Sequence, residues 1–326
     1  MRTLSNIFDT IVSYDNLLAA HQKASQGKSH YREVKMVNSN LEFYLTEIQK
    51  SLINGTFKTS TYEVEICLKG RKERTIHKLP YYPDRIVHHA IVGVCKDFWV
   101  KSMIRDTFQS IEKRGTLDCF KRVKRVVTVV KPRYAVKIDI RKFYPSVQTD
   151  LLLKLNPFNL TDTKAFALLS EILSSLPFLP LGNHTSQFAG NLFLNKFDWQ
   201  CKQVLQIKHY FRYCDDIVIM GDNKQEILGW VKDMENLLEE LGLNIKQDYG
   251  IIDLSNEPLD FVGYRFMHNK VLLRKTLKQD FVSACKAKKA KSVPSYFGWC
   301  KHGNCYNLFN KHTRFLNEHT SKRKTA

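Results

Sequence analysis

Hydrophobic positions along the chain switch between a helical and a strand period, and the switches outline its elements. Residues 5 to 24 carry apolar side chains at helical spacing. In "SNLEFYLTEIQKSLINGTF", Leu41, Tyr44, Leu45, Ile48 and Leu52 recur every three or four residues. Ser39 and Glu42 have the spacing of a capping box, and Gly55 stands where a helix should stop. The period then drops to two. Tyr62, Val64, Ile66 and Leu68 alternate with polar residues, Gly70 marks a turn, and Thr75, Ile76 and His77 return. That pattern predicts a hairpin with a basic tip of Lys69, Arg71, Lys72 and Arg74.

A helix is predicted from about Asp84, with Ile86, Ala90, Ile91 and Val94 inward, and a strand over 134–140 ("YAVKIDI"). Residues 150–176 read as helical until Pro177 and Pro180. Another helix follows "LPLGNHTSQ" and runs to about Leu205. "FRYC-DD-IVIM" reads as strand, turn, strand. "QEILGWVKDMENLLEELGLNI" is amphipathic through Ile227, Trp230, Val231, Met234, Leu237, Leu238 and Leu241, with Gly242 as its C-cap. "LDFVGYRFM" and "KVLLRK" are short strands. There is no internal repeat and no linker.

Composition narrows the function. With 43% hydrophobic residues the 326-residue chain is globular, and a net charge of +19 draws it to polyanions, nucleic acid first. The surplus concentrates from Lys270 onward, where fourteen Lys and Arg face only Asp280 and Glu318, so a domain boundary is placed near there. No apolar run is long enough for a bilayer and the N-terminus lacks a signal peptide's apolar centre, so a cytoplasmic protein is expected. The eight cysteines are scattered and read as reduced thiols. Cys300, His302 and Cys305 have no second ligand pair nearby and are not read as a zinc site.

The candidate chemistry lies in carboxylates at strand ends. Asp215 and Asp216 sit between two apolar runs, and Asp139 ends the apolar strand "YAVKID". An Asp pair alone is common in turns. If the two strands pair, however, three carboxylates converge, and such like charges are tolerated only with cations. Hard oxygen ligands suit Mg²⁺, and two such ions can clamp an in-line phosphoryl displacement.

"VKIDIRKFYPS", "LPLGNHTSQFAGNLFLNKFD", "RYCDDIVIM" and "FVGYRF" occur in the order and spacing of the palm motifs of reverse transcriptases. The chain resembles that family over roughly residues 60–315. Leu181-Gly182-Asn183-His184-Thr185-Ser186-Gln187 and "SYFGWCKHGNCYNLF" resemble the diversity-generating retroelement subfamily. The resemblance implies an α+β right-hand polymerase. Residues 1–133 would form N-terminal helices and fingers, 134–269 an antiparallel-sheet palm with fingers-associated helices about 150–180, and 270–326 a basic helical thumb.

By the same resemblance, Asp139, Asp215 and Asp216 are catalytic and hold two Mg²⁺ ions with the Ile140 carbonyl. Tyr144 screens the sugar 2′-hydroxyl. Lys69, Arg71, Lys72 and Arg74 hold the triphosphate, and Leu181, Gly182 and Gln187 belong to the nucleotide pocket. Phe261, Gly263 and Tyr264 hold the primer end. Charge alone, in excess of what solubility needs, points Lys286, Lys288, Lys289 and Lys291 to the backbone of a heteroduplex or to an acidic partner. Lys246 is a candidate proton donor to pyrophosphate. "IEKRGT" departs from the family's Arg-Pro pattern, which removes the basis for roles at Lys113 and Arg114.

The implied activity is copying of a template-repeat RNA into cDNA with errors at template adenines. The partners would be template RNA, the RNA/DNA heteroduplex, deoxynucleoside triphosphates and a basic oligomeric accessory protein, in a bacterial or phage-encoded system. The alternatives are another bacterial reverse transcriptase, retron-like or antiphage, and a non-catalytic RNA-binding protein on a polymerase fold. Viral RNA polymerases carry Gly-Asp-Asp where this chain has Cys214-Asp215-Asp216.

Overall fold

The computed structural model describes residues 3–69, 72–287, 289 and 292–313, with the side chains of Lys69 and Lys72 outside that description. The chain forms two compact units interleaved in sequence. The first takes the chain up to Ser110, then Ile140–Val204 and Glu235–Ile245; the second takes Ile111–Asp139, Leu205–Met234 and the chain from Lys246 onward.

In the first unit, the predicted helix over 5–24 is two: α1 (Phe8–Val12) and α2 (Tyr14–Ala24). Ser13 separates them, extended at φ −61° and ψ 143°, and its hydroxyl accepts from the Asn16 amide. Next come α3 (Arg32–Ser39) and α4 (Leu41–Ile53). The predicted capping box does not form. Ser39 lies inside α3 and its hydroxyl donates to the Met36 carbonyl at 2.7 Å, so Asn40 caps α4 instead by accepting from the Phe43 amide. A residue already in helical conformation cannot serve as the next helix's cap.

The predicted hairpin is β1 (Glu63–Lys69) and β2 (Lys72–Lys78), in register from Glu63↔Lys78 to Lys69↔Lys72. Its apolar stripe does not face a core: Val64, Ile66 and Leu68 are 57%, 62% and 76% exposed. After a π-type turn at Tyr81–Arg85 comes α5 (Ile86–Ser102), which packs on α2. Ile86, Ala90 and Ile91 are buried as predicted. Val94 is only half-buried, and Cys95 and Trp99 complete the inward face. The Trp99 indole donates to the Phe158 carbonyl at 3.2 Å.

A two-residue β3 (Thr107–Phe108) closes this stretch, and the second unit begins with α6 (Thr116–Arg125) and then β4 (Tyr134–Asp139). Back in the first unit, the helical stretch predicted over 150–176 is interrupted. A short α7 (Phe143–Ser146) precedes α8 (Thr149–Leu155) and α9 (Thr163–Leu173), and left-handed Asn156 (φ 41°) ends α8. Asp162 caps α9 through the Ala165 amide and also accepts from the Ile7 and Phe8 amides, which ties the chain start to α9. The helix predicted to follow "LPLGNHTSQ" starts within that motif, as α10 (His184–Phe193), and continues as α11 (Asn195–Gln203).

The second unit's sheet contains β5 (His209–Tyr213), β6 (Asp216–Gly221), β4 and β7 (Ile251–Asp253), all antiparallel in the order β5-β6-β4-β7. The Ile138↔Ile217 and Val136↔Ile219 pairs are fully buried. The amphipathic α12 (Lys224–Glu239) buries Ile227, Val231, Met234 and Leu238, and Gly242 takes φ +70° beyond its end. A three-stranded sheet of β8 (Leu259–Phe261), β9 (Tyr264–Phe266) and β10 (Val271–Leu273) follows, with β9 central. Helices α13 (Lys275–Lys286) and α14 (Val293–His302) complete the described part. No helix among the described residues is long and apolar enough to cross a membrane.

Candidate active site

Strand β4 is apolar through Ala135, Val136 and Ile138 and carries polar residues only at Lys137 and its end, Asp139. Antiparallel pairing with β6 sets Asp139 directly opposite Asp216. On the other side of β6, Tyr213 pairs Asp216, so β5 and β6 are joined by a two-residue turn made of Cys214 and Asp215. The three carboxylates predicted to converge therefore belong to one end of one sheet.

Cys214 adopts φ +59°, a left-handed conformation that costs a non-glycine residue about 1–2 kcal/mol. Arg212, fully buried, donates from a guanidinium nitrogen to the Cys214 carbonyl at 3.0 Å and so braces the turn. Sequence reasoning missed Arg212, because an arginine in the strand "HYFRY" gives no sign of being buried.

Electrostatics at this end are unbalanced among the acids and repaired by lysines. Burial raises the Asp215 carboxyl above its ordinary value, and the neighbouring Asp216 and Asp139 charges add to the effect. One oxygen each of Asp139 and Asp216 is buried without a hydrogen bond of good geometry, yet each lies against an ammonium group. Lys137 reaches Asp216 at 2.9 Å, and Lys246 pairs with Asp139. The Lys246 amide also donates to the Asp139 carbonyl at 2.9 Å. Lys137 was legible in principle, since it precedes Asp139 by two residues on the same strand face.

These hard carboxylate oxygens have the chemistry to hold a divalent cation, and their counter-charges mark a place where positive charge is needed. Among the described residues no three His, Cys, Asp or Glu side chains are gathered as a metal-binding cluster. Cys300 and Cys305 are buried free thiols, and burial pushes Cys300 up to about 12.

Residues 68–266 match the sequence profile of the family described as reverse transcriptase (RNA-dependent DNA polymerase). The chain belongs to that family. No curated protein sequence shows significant similarity to it. Among solved structures, its fold is similar to telomerase from Candida albicans in complex with a fragment of telomeric RNA. That match has a TM-score of 0.52 and 10% identity, and covers 75% of this chain and 55% of the other. Apo telomerase from Candida tropicalis, truncated from its C-terminal domain, matches with a TM-score of 0.49 and 12% identity, over 74% of this chain and 60% of the other. The mixed α and β architecture of this reverse transcriptase is that of a right-hand polymerase.

The remaining candidate residues fall in both units of the reverse transcriptase. In the first, the Leu181 carbonyl accepts from the His77 amide at 2.9 Å, which joins "LPLGNHTSQ" to β2 of the hairpin. Gly182 follows at φ +124°, and a Cβ there would lie 2.5 Å from the His77 carbonyl oxygen, so only glycine fits. Gly182 and Gln187 are exposed, Leu181 is half-buried and Arg74 is exposed on β2 opposite Cys67. Arg71 lies outside the described residues. Tyr144 is half-buried on α7, and Gly190 of α10 leaves space for it and for Phe143, whose ring is 3.1 Å from where a Gly190 side chain would begin. Ile140, fully buried, bridges to Ile245.

In the second unit, Phe261 and Tyr264 are register partners around a tight turn in which Val262 and Gly263 have φ of +40° and +86°. Both aromatic side chains are buried, and the Tyr264 hydroxyl donates to the Trp299 carbonyl at 3.0 Å. Lys286 ends α13 and Lys289 is exposed, while Lys288 and Lys291 lie outside the described residues.

Proposed function

We propose that this reverse transcriptase synthesises DNA on an RNA template, and that its biological role is mutagenic copying of a template repeat in a diversity-generating retroelement. The observation that carries the polymerase reading is the pairing of Asp139 with Asp216 beside the Asp215 turn, in a chain of this family. Asp139, Asp215 and Asp216, with the Ile140 carbonyl, would hold two Mg²⁺ ions. When bound, such ions supply Lewis-acid stabilisation of an in-line phosphoryl transfer.

The chain's own groups have distinct tasks in this reading. The sheet holds the carboxylates rigid, Arg212 keeps the Cys214 turn closed, and Lys246 stands on Asp139 as candidate proton donor to the leaving pyrophosphate. Tyr144 excludes the 2′-hydroxyl. Leu181, Gly182 and Gln187 contact the nucleotide, with Lys69, Arg71, Lys72 and Arg74 on its phosphates. The Phe261–Tyr264 turn supports the primer through its backbone, given that both rings are buried. Lys286, Lys288, Lys289 and Lys291 contact phosphates of the heteroduplex, and a basic accessory protein shares the RNA. The aliphatic Leu181 and the Ser186-Gln187 ending support the retroelement role.

Primer extension on an RNA template tests the proposal. Asp139→Asn or Asp215→Asn should reduce the rate on the order of a thousandfold, several kcal/mol of lost stabilisation, while RNA binding persists. Undiminished extension by Asp215→Asn would overturn the assignment. The second reading, a non-catalytic RNA-binding protein, is favoured by the lysine-paired carboxylates and would show RNA binding with no extension by the parent.

A further inference from the structure

The hairpin of β1 and β2 is an unfinished sheet. Among the described residues β1 pairs only with β2, and Val64, Ile66 and Leu68 leave more than half of their surface to water on one face. A two-stranded ribbon with an open apolar face is at best marginally stable in water, and an open strand edge is a template for another strand.

The two edges differ. On β2 the His77 amide donates to the Leu181 carbonyl at 2.9 Å, so that edge is engaged at its base. The same bond fixes the direction of the backbone groups along the ribbon. The His77 N–H points away from β1, so Val64↔His77 is a pair without mutual hydrogen bonds, and in an antiparallel ladder such pairs alternate with bonded ones. Ile66↔Thr75 and Leu68↔Glu73 are therefore of the same kind. The N–H and C=O groups of Val64, Ile66 and Leu68 point out of the open edge of β1. The same three residues carry the exposed apolar side chains.

The charge order along β1 selects the occupant. "EVEICLK" is acidic at its start, with Glu63 and Glu65, and basic at its end, with Lys69, and its apolar residues are spaced by two around Ile66. A second β1 laid antiparallel with a two-fold axis at Ile66 sets Val64 opposite Leu68, Ile66 opposite itself and Glu63 opposite Lys69. In that register, outward backbone groups meet outward backbone groups. An axis at Glu65 would set the two Glu65 carboxylates together, and an axis at Cys67 would leave Val64 beyond the strand's end. Apolar pairs and opposite charges across strands are favourable, and like charges directly opposite are not. A contact in which one patch serves both partners closes on itself as a dimer.

We propose that β1 joins β1 of a second copy of this chain, antiparallel about Ile66, in a four-stranded sheet ordered β2-β1-β1-β2. Neither the carboxylates nor nucleic acid enters this contact, and Arg74 lies on β2, one strand removed from the joined edge.

Sedimentation velocity of the full chain, freed of nucleic acid, over a concentration series tests the contact. The parent should dimerise with a Kd on the order of micromolar, as suits a small interface. Ile66→Lys sets two ammonium groups opposite each other at the axis and should weaken dimerisation roughly a hundredfold. Its melting temperature should equal the parent's under conditions where both are monomeric, because Ile66 is exposed. Glu63→Lys should weaken dimerisation about three- to tenfold, and Glu63→Lys with Lys69→Glu should restore it. In a Cys67→Ser background, Ile66→Cys should cross-link to its own mate under mild oxidation, since paired Cα atoms about 5.5 Å apart suit a disulfide. Leu68→Cys should not, because the two copies of residue 68 would stand four positions, about 13 Å, apart.

A parent that stays monomeric throughout the series overturns the second copy as occupant. A dimer that a folded Ile66→Lys leaves intact overturns β1 as its interface. Cross-linking through residue 68 but not through residue 66 overturns the register, and so does a charge swap that fails to restore association.

Discussion

Asp139 and Asp216 face each other as partners on adjacent antiparallel strands, and each carries a lysine ammonium on its carboxylate. Two acids opposite one another on a sheet repel, so the pairing is kept only where opposite charge offsets it. Lys137 and Lys246 provide that offset within the chain, and the same positions are where a polymerase needs cations.

Gly182 is the most constrained residue of the nucleotide-pocket motif. Gly182→Ala must place a methyl group 2.5 Å from the His77 carbonyl oxygen in a backbone conformation that alanine resists. Backbone strain of this kind costs about 1–3 kcal/mol, and the clash adds to it. The variant should melt at a lower temperature and raise the KM for deoxynucleotides as the Leu181–His77 link to the hairpin gives way. A melting temperature equal to the parent's would show that β2 yields freely.

Tyr144 should govern sugar choice. Tyr144→Val keeps an apolar group on α7 but removes the ring, so ribonucleotide incorporation relative to deoxynucleotide should rise roughly tenfold or more. Single-nucleotide insertion with paired ribo- and deoxynucleotides gives the ratio. An unmoved ratio would make the ring a packing partner of Phe143 and α10 only.

Leu181 should loosen base selection. Its backbone is engaged by His77, so its side chain is the free variable, and leucine offers packing with no hydrogen bond. An apolar contact discriminates by only ~1–3 kcal/mol, while an engaged polar group does better. Leu181→Gln should lower misincorporation opposite template adenine roughly tenfold and less at other bases. The kcat/KM ratios for correct and incorrect insertion opposite each template base measure this. An active variant with the parent's adenine error ratio would exonerate Leu181.

Acid should weaken the first unit through buried histidines. Burial, with the charges of His184 and Arg85, lowers His88 from 6.5 to about 3, and burial also lowers His89 to about 3 and His184 to about 4. His89 and His184 stack with centroids 4.2 Å apart. The unfolded chain binds protons from about pH 6.5 downward while the folded one does not, so stability rises with pH in this window and is lost as pH falls through it. For His88 alone the loss at pH 4.5 is about 2–3 kcal/mol. Urea unfolding at pH 7 and 4.5 should show this difference, and His88→Leu should shrink it by a similar amount.

Much of this protein is local, and local patterns were readable. The period of two placed β1 and β2, apolar runs placed β4, β5 and β6, and the Asp pair marked the turn between β5 and β6 to within one residue, since Cys214 and Asp215 make that turn and Asp216 already belongs to β6. The order of four motifs pointed to the reverse transcriptase family that the profile over 68–266 shows. Where two short-range signals competed, tertiary context chose: α3 consumed Ser39 and left Asn40 to cap α4, and left-handed Asn156 divided a helical stretch that looked continuous.

Other features come from residues far apart in sequence. The apolar run over 134–138 shows that Asp139 ends a strand, but strand order and register decide that Asp216 stands opposite it. Alternation also shows that Val64, Ile66 and Leu68 share a face, and only the absence of a covering layer among the described residues makes that face exposed. The burial of Arg212, the Leu181–His77 link and the indole of Trp299 over Gly263 depend on backbones brought together by folding. Periodicity is a property of neighbours along the chain. Register, burial and close backbone approach are properties of neighbours in space, so the residue types of the site were legible in the sequence and their convergence was decided by the tertiary structure.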